Sequence, residues 1–294
     1  MSLYQFHRPT TLAAACTLGR ELGASAAFLA GGTELLPDLE RGRESARHFI
    51  ALDGLDELRA VHLEHDRLVI GAMTTVAAIA NSDLVREHCE ALSEAAHSLG
   101  SPQIRSRATI GGNFCRAVAC ADLPPAAMVA SARVRLASPT GEREVPVEEF
   151  LVGARRTSLD AGELLTAIVL PRSKRGFASA FARFGNRRGP SLAVASVAAG
   201  LRMENDRVAQ LRIVLGAVAP SPVVVHVASE LARGEKLTAA LIAKVAAACV
   251  AAARPISDIR GSAEFRRELV CVLARRALER AVQRAATCAQ GLSA

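Results

Sequence analysis

Aromatic residues are scarce in this chain of 294 residues: Trp is absent, Tyr occurs once (Tyr4) and Phe nine times, 3% in all. The core must therefore be built from Ala, Val, Leu and Ile, and platforms for stacking nucleic-acid bases are few. No stretch of about 18 uninterrupted apolar residues occurs, so no membrane span is expected. The opening MSLYQFHRPTTL lacks the basic-then-apolar pattern of a secretory leader. There is no C-x-x-C pair, and the seven Cys stand at irregular positions, 16, 89, 115, 120, 249, 271 and 288. An odd, scattered set predicts reduced thiols and a cytoplasmic protein. Cys115 and Cys120, with His97 the nearest His, make a poor ligand set, so no metal site is expected. Also missing are internal repeats, low-complexity tracts and long charge runs of one sign, which argues against disorder.

What is present fits a folded protein. Half the residues are apolar and 22% are charged, and the length is a soft prior for two domains. The formal charge of +7 raises the question of nucleic acid. A phosphate-backbone binder clusters its cations on one stripe. Here Arg is spread along the chain and often sits beside acid, as in Glu142-Arg143-Glu144, so no nucleic-acid partner is expected. No Ser-His-Asp, Cys-His or paired-carboxylate arrangement stands out, and no catalytic residue is assigned to this chain.

Periodicity and punctuation predict a helix over 11–23 ending at Gly23, and strands at 26–30, 48–52 and 67–71. A helix follows through Val76–Ile79, and another over 83–99. Residues 100–122 read as a polar, glycine-bearing loop, long enough to suggest that it holds a ligand. Strands are expected at 133–137, 144–147 and 164–170, the last closed by Pro171. A charged boundary falls near 172–177. Beyond it come strands at 178–184, 193–203 and 207–218, then helices at 237–253 and 262–286. The expected architecture is α+β, with a larger domain to about 175 and a smaller one of three strands followed by helices.

Two short loops carry the chemistry. The first, Ala30-Gly31-Gly32-Thr33-Glu34-Leu35, follows directly on a predicted strand. Paired glycines let backbone N–H groups approach and converge on one anion. The second is Thr109-Ile110-Gly111-Gly112-Asn113, with Asp122 nine positions later. Neither is the G-x-G-x-x-G fingerprint nor a P-loop, which disfavours a nicotinamide-type Rossmann domain. Either loop alone is more often an ordinary turn. Together they point to an anionic ligand.

Five segments in order, FHRPTTLAAA, LAGGTELLP, IGAMTTVAAI, PQIRSRATIGGNFCRAVACADLPPA and PISDIRGSAEFRRELVCVLARRAL, closely resemble the FAD-binding subunit of the xanthine dehydrogenase and carbon monoxide dehydrogenase family. The resemblance spans nearly the whole chain. It implies a two-lobed FAD domain of the vanillyl-alcohol oxidase (PCMH) type over 1–175, with lobes of about 1–56 and 57–175, and a small C-terminal α+β domain over 176–288. It implies FAD held by Leu29, Ala30, Gly31, Gly32, Thr33, Glu34 and Leu35 on one side of the diphosphate. Thr109, Ile110, Gly111, Gly112 and Asn113 are expected on the other side, with Asp122 at a sugar or ribityl hydroxyl. Leu165 is expected near a ring, and Arg183 where some relatives carry a Lys near the flavin.

The implied partners are a small iron–sulfur subunit with two [2Fe–2S] clusters and a large molybdopterin subunit, in a dimer of heterotrimers. Substrate oxidation would occur on that large subunit. Departures exist: Glu34 replaces a common Asp, Asn or Ser, and Ser191-Leu192-Ala193 lacks the aromatic that some relatives place near the isoalloxazine. The run GGTELLPDLERG is also similar to the flavin subunit of 4-hydroxybenzoyl-CoA reductase, but no cluster-binding insertion fits between Asn113 and Pro125. The alternatives left open are a flavin subunit of that reductase type lacking the extra cluster, a stand-alone FAD oxidase of the same superfamily, and a non-enzymatic binding protein.

Overall fold

The computed structural model describes residues 4–172, 176–187 and 189–290, with side chains to 287, and the chain builds three sheets. The first comprises β1 (Gln5–His7), α1 (Leu12–Leu22), β2 (Ala26–Leu29), α2 (Leu35–Glu40) and β3 (His48–Ala51). β3 lies between β1 and β2 and runs parallel to both. Thr11 caps α1 by accepting from the Ala14 N–H, and Gly23 ends it at φ 52°, as its position predicts. Ala15 and Cys16 on the inner face of α1 join the core around Ile50 and Leu52.

The second sheet is antiparallel, in the order β4-β5-β8-β6-β7. In chain order the elements are β4 (Val61–Glu64), β5 (Arg67–Gly71), α3 (Val76–Ala80), α4 (Asp83–His88), α5 (Glu90–Ser98), α6 (Pro102–Arg105), α7 (Ile110–Arg116), α8 (Leu123–Met128), β6 (Arg133–Ser138), β7 (Gly141–Pro146), α9 (Val147–Phe150) and β8 (Leu164–Pro171). The third sheet, β12-β11-β10-β9, is antiparallel as well. It is formed by β9 (Phe177–Phe184), β10 (Ala195–Glu204), β11 (Arg207–Gly216) and β12 (Val223–Val224), followed by α10 (His226–Ala232), α11 (Ala239–Ala252) and α12 (Ala263–Gln290). Among the described residues, no helix is long and apolar enough to cross a membrane.

Strand periodicity explains how the third sheet reaches the second. Ala178, Ala180 and Ala182 of β9 face the core shared with α11 and α12, where small side chains let the helices lie close. The alternate residues Ser179, Phe181 and Arg183 therefore face the other way, and Phe181 joins the core of the second unit of the fold, formed by the second sheet with α3–α8. Arg183 is carried by this face toward the loops that follow α5 and precede α8.

The expected α+β class holds; β1, α2, β4 and α10 lie outside the expected elements, and other local differences bear on the site. The helix expected over 83–99 is broken at Cys89 (φ −156°, ψ 84°), where the free Ala91 N–H donates to Ser179 Oγ at 3.0 Å. The stretch 100–122 is not irregular: Ser101 and Thr109 cap α6 and α7 by accepting from the Ile104 and Gly112 N–H groups. Ile110 and Phe114, one helical turn apart, are fully buried and anchor α7. The third sheet gains a fourth strand, β12, too short for any periodicity. The charged boundary near 172–177 falls partly on residues 173–175, which lie outside the described residues.

Candidate functional site

The two glycine loops face each other across a cleft of about 490 Å³. The first leaves β2 and turns into α2, and it touches the second at its base. A Cβ on Gly31 would stand 2.0 Å from the Arg107 carbonyl oxygen, so only glycine permits this approach. Gly32 adopts φ +74°, a left-handed backbone that glycine takes without strain. Leu36 donates back to the Gly32 carbonyl at 3.1 Å. The N–H groups of Gly31, Gly32 and Thr33 have no protein acceptor among the described residues. A short loop with several free donors on a cleft wall is an anion cradle.

The second loop is braced from behind by the turn after β5. Val76 donates to the Ala108 carbonyl at 2.8 Å, Ile110 to Thr74 at 3.1 Å and Gly111 to Ala72 at 2.9 Å. The segment IGAMTTVAAI is thus the scaffold of TIGGN. Asn113 lines the cleft, and its buried Oδ1 has no hydrogen-bond partner among the described residues.

Asp122 sits just before α8 yet makes no capping hydrogen bond. Its buried Oδ1 has no partner among the described residues, and its Oδ2 lies 3.5 Å from Arg183 Nη1. Burial pushes its carboxyl up to about 7, with the Arg183 charge pulling the other way. Arg183 also donates from Nη1 to the Ser98 carbonyl at 2.6 Å and from Nη2 to the Ser191 carbonyl. One guanidinium thus ties the end of α5, the 185–192 loop and Asp122. A second hollow of about 430 Å³, containing His97, Arg105, Arg183 and Arg187, adjoins the cleft and shares Gly100, Arg187, Pro190 and Ser191 with it.

Of the residues expected at the site, Ala30, Gly31, Gly32, Thr33, Glu34, Leu35, Thr109, Gly112, Asn113 and Asp122 line the cleft together. Five do not. Leu29 is the last residue of β2, its carbonyl accepting from Leu52 N–H at 3.0 Å. Ile110 is fully buried, and Gly111 packs on Ala72. Leu165, 2% exposed on β8 between two covered faces, packs in the second unit's core. Arg183 lines the adjoining hollow.

Sequence reasoning missed Arg116, which lines the cleft at the end of α7, and Asp38, buried on α2. Arg116 Nη2 donates to Asp38 Oδ2, bonding the helices that follow the two glycine loops. Burial alone would raise the Asp38 carboxyl, but Arg116, Arg155 and Arg43 hold it below the usual carboxylate range. Leu192, 60% exposed, is an aliphatic residue of the cleft wall.

A three-sheet α+β chain with a donor-lined cleft between two glycine loops has the features of a nucleotide-cofactor subunit. The comparisons narrow this. Residues 2–173 match the model of the FAD-binding domain in molybdopterin dehydrogenase, and residues 179–281 that of the CO dehydrogenase flavoprotein C-terminal domain. The xanthine dehydrogenase FAD-binding subunit of Escherichia coli is 32% identical over 94% of this chain and 95% of its own length. The carbon monoxide dehydrogenase medium chain of Afipia carboxidovorans is 33% identical over 96% and 98%. The solved carbon monoxide dehydrogenase from Hydrogenophaga pseudoflava superposes with a TM-score of 0.92 at 31% identity, covering 96% of this chain and 98% of that one. This chain belongs to the family of molybdopterin dehydrogenase FAD-binding proteins.

Proposed function

We propose that this chain binds one FAD in the cleft and serves as the electron-transfer flavoprotein subunit of a heteromeric molybdenum hydroxylase. The observation that carries this reading is the pairing of free N–H donors at residues 31–33 with the unpartnered oxygens of Asn113 and Asp122 across one cleft. The donors suit a diphosphate and the buried oxygens suit hydroxyl groups, so the residues fit the dinucleotide. FAD supplies the redox chemistry when bound, accepting electrons singly and releasing them in pairs. The chain's own residues bind, orient and exclude water.

The binding set we assign is Ala30 to Leu35, Thr109, Gly112, Asn113 and Asp122, with Leu29, Ile110 and Gly111 as its supports. Arg183 acts from the adjoining hollow, and Leu165 packs behind the site. The unit over 1–175 carries the cofactor, and that over 176–288 closes one end of the cleft. Electrons arrive from two [2Fe–2S] clusters on a small partner subunit, after substrate oxidation at molybdopterin on a large one, and leave to an external acceptor. The stoichiometry we assign is a dimer of heterotrimers, on the family resemblance. A cytoplasmic setting agrees with the free thiols of Cys16, Cys89, Cys115, Cys120, Cys249 and Cys271.

Co-purification of the full chain tests this reading. The expected product contains FAD, iron and molybdenum in three kinds of chain. A colourless chain that takes up no FAD would refute it. A flavoprotein that oxidises an alcohol or amine without metal-bearing partners would establish the stand-alone oxidase instead.

A further inference from the structure

We propose that Arg116 is a diphosphate-binding residue that makes the cleft selective for the dinucleotide flavin over a phosphate-free one. This rests on the FAD reading above and adds a residue that the resemblance does not supply. Arg116 ends α7, its side chain is 22% exposed, and it lines the cleft together with the donor loop of residues 31–33. Nη2 is committed to Asp38. Nε is buried and makes no hydrogen bond, and Nη1 has no acceptor among the described residues. A guanidinium has five N–H donors in a rigid plane, so most of this one's capacity is unused at the wall of an anion-sized cleft.

The surroundings argue against a purely bracing role. Asp38 also has Arg155 at 3.7 Å and Arg43 at 3.9 Å, so its charge is compensated without Arg116. What Asp38 does for Arg116 is hold its guanidinium against α2 before a ligand arrives, which lowers the ordering cost of binding. Counting Asp38, Glu34 and the three arginines, the cluster carries one net positive charge. Glu34 is the local competitor: its Oε2 lies 3.4 Å from Arg116 Nε, and its side chain is 65% exposed. A phosphate oxygen, acting as a charge-assisted acceptor at Nε or Nη1, would displace this loose carboxylate into water.

The test uses the full chain, purified with the partner chains that accompany it and stripped of flavin, titrated separately with FAD and with riboflavin. Arg116→Gln is expected to weaken FAD roughly ten- to hundredfold, the scale of a lost charge-assisted hydrogen bond, and to leave riboflavin affinity nearly unchanged. Equal weakening of both ligands would mean that Arg116 only braces the cleft and would overturn the proposal, as would unchanged FAD affinity. Glu34→Gln, at an exposed position where folding is not at stake, gives an independent reading. It is expected to tighten FAD severalfold with riboflavin unaffected, and unaltered or weakened FAD binding would overturn the proposal. Failure of the unsubstituted chain to take up FAD would instead remove the underlying FAD reading.

Discussion

Replacing Asp122 by Asn isolates the energetic consequence of a carboxyl buried without a hydrogen-bond donor for its Oδ1. Burial carries this group from an ordinary value of 3.8 to about 7, against the pull of Arg183. A group whose value is raised on folding holds its proton more tightly in the folded chain. Its stability contribution is therefore complete below about pH 4, declines as pH rises to about 7, and is constant above that. Three pH units at about 1.4 kcal/mol each give an upper bound of about 4 kcal/mol. A loss of about 2–4 kcal/mol is the working figure under this bound.

The assay is denaturant unfolding of the flavin-free protein between about pH 4 and pH 8, for the parent and for Asp122→Asn, with the two curves subtracted. Glu163, held low by the Arg143 hydrogen bond against the effect of burial, and Asp258, held low chiefly by its bond from Arg260, titrate with the opposite sign. Their contributions are lost as pH falls, but they occur in both proteins and cancel in the difference. Asn cannot ionise, so the variant gains on the parent by about 2–4 kcal/mol across the window. A difference flat with pH, or one of opposite slope, would refute the claim that burial of Asp122 outweighs the pull of Arg183.

Other substitutions separate architecture from binding. Gly112→Val adds a Cβ that meets only Thr109 Oγ1, at 3.1 Å, so its branches face the cleft; FAD occupancy should fall while the melting temperature of the flavin-free protein moves little, and full occupancy would contradict the assigned wall. Gly31→Ala drives a Cβ into the Arg107 carbonyl, so it should lower both stability and flavin content; an unchanged melting temperature would count against the loop contact. Leu165→Ala should cost about 2–5 kcal/mol as a core truncation, with FAD affinity changed much less than by Gly112→Val; the reverse pattern would return Leu165 to the ligand. Arg266 is 2% exposed and donates to the Val194 and Ala217 carbonyls and to Asp258. Arg266→Met should cost about 3 kcal/mol or more in denaturant unfolding, chiefly from the two buried carbonyls left unpaired, since Asp258 keeps its bonds from Arg260; a cost near zero would refute the tie.

The parts of the site that could be read from sequence are those whose cause is local. Gly32 is demanded by its own φ, so a glycine after an apolar strand shows itself without knowledge of the rest, although what requires Gly31 is the distant Arg107 carbonyl. Strand β5 is legible as a short apolar run closed by glycine, and β9 as an apolar run in which small and larger residues alternate. The break at Cys89 has no local signature, since its compensating acceptor is Ser179 on β9, 88 residues away in sequence. Asp38 and Arg116 were invisible for the same reason: each is unremarkable on its own short helix, and their pairing spans 78 positions. Resemblance supplied Leu165 and Asp122 alike, but the structure treats them differently. Leu165 turns into a core between two covered faces, whereas Asp122 keeps an unpaired oxygen in the cleft. A position carried over by likeness thus becomes a binding assignment only when its side chain is left with unmet chemistry, which Asp122 has and Leu165 lacks.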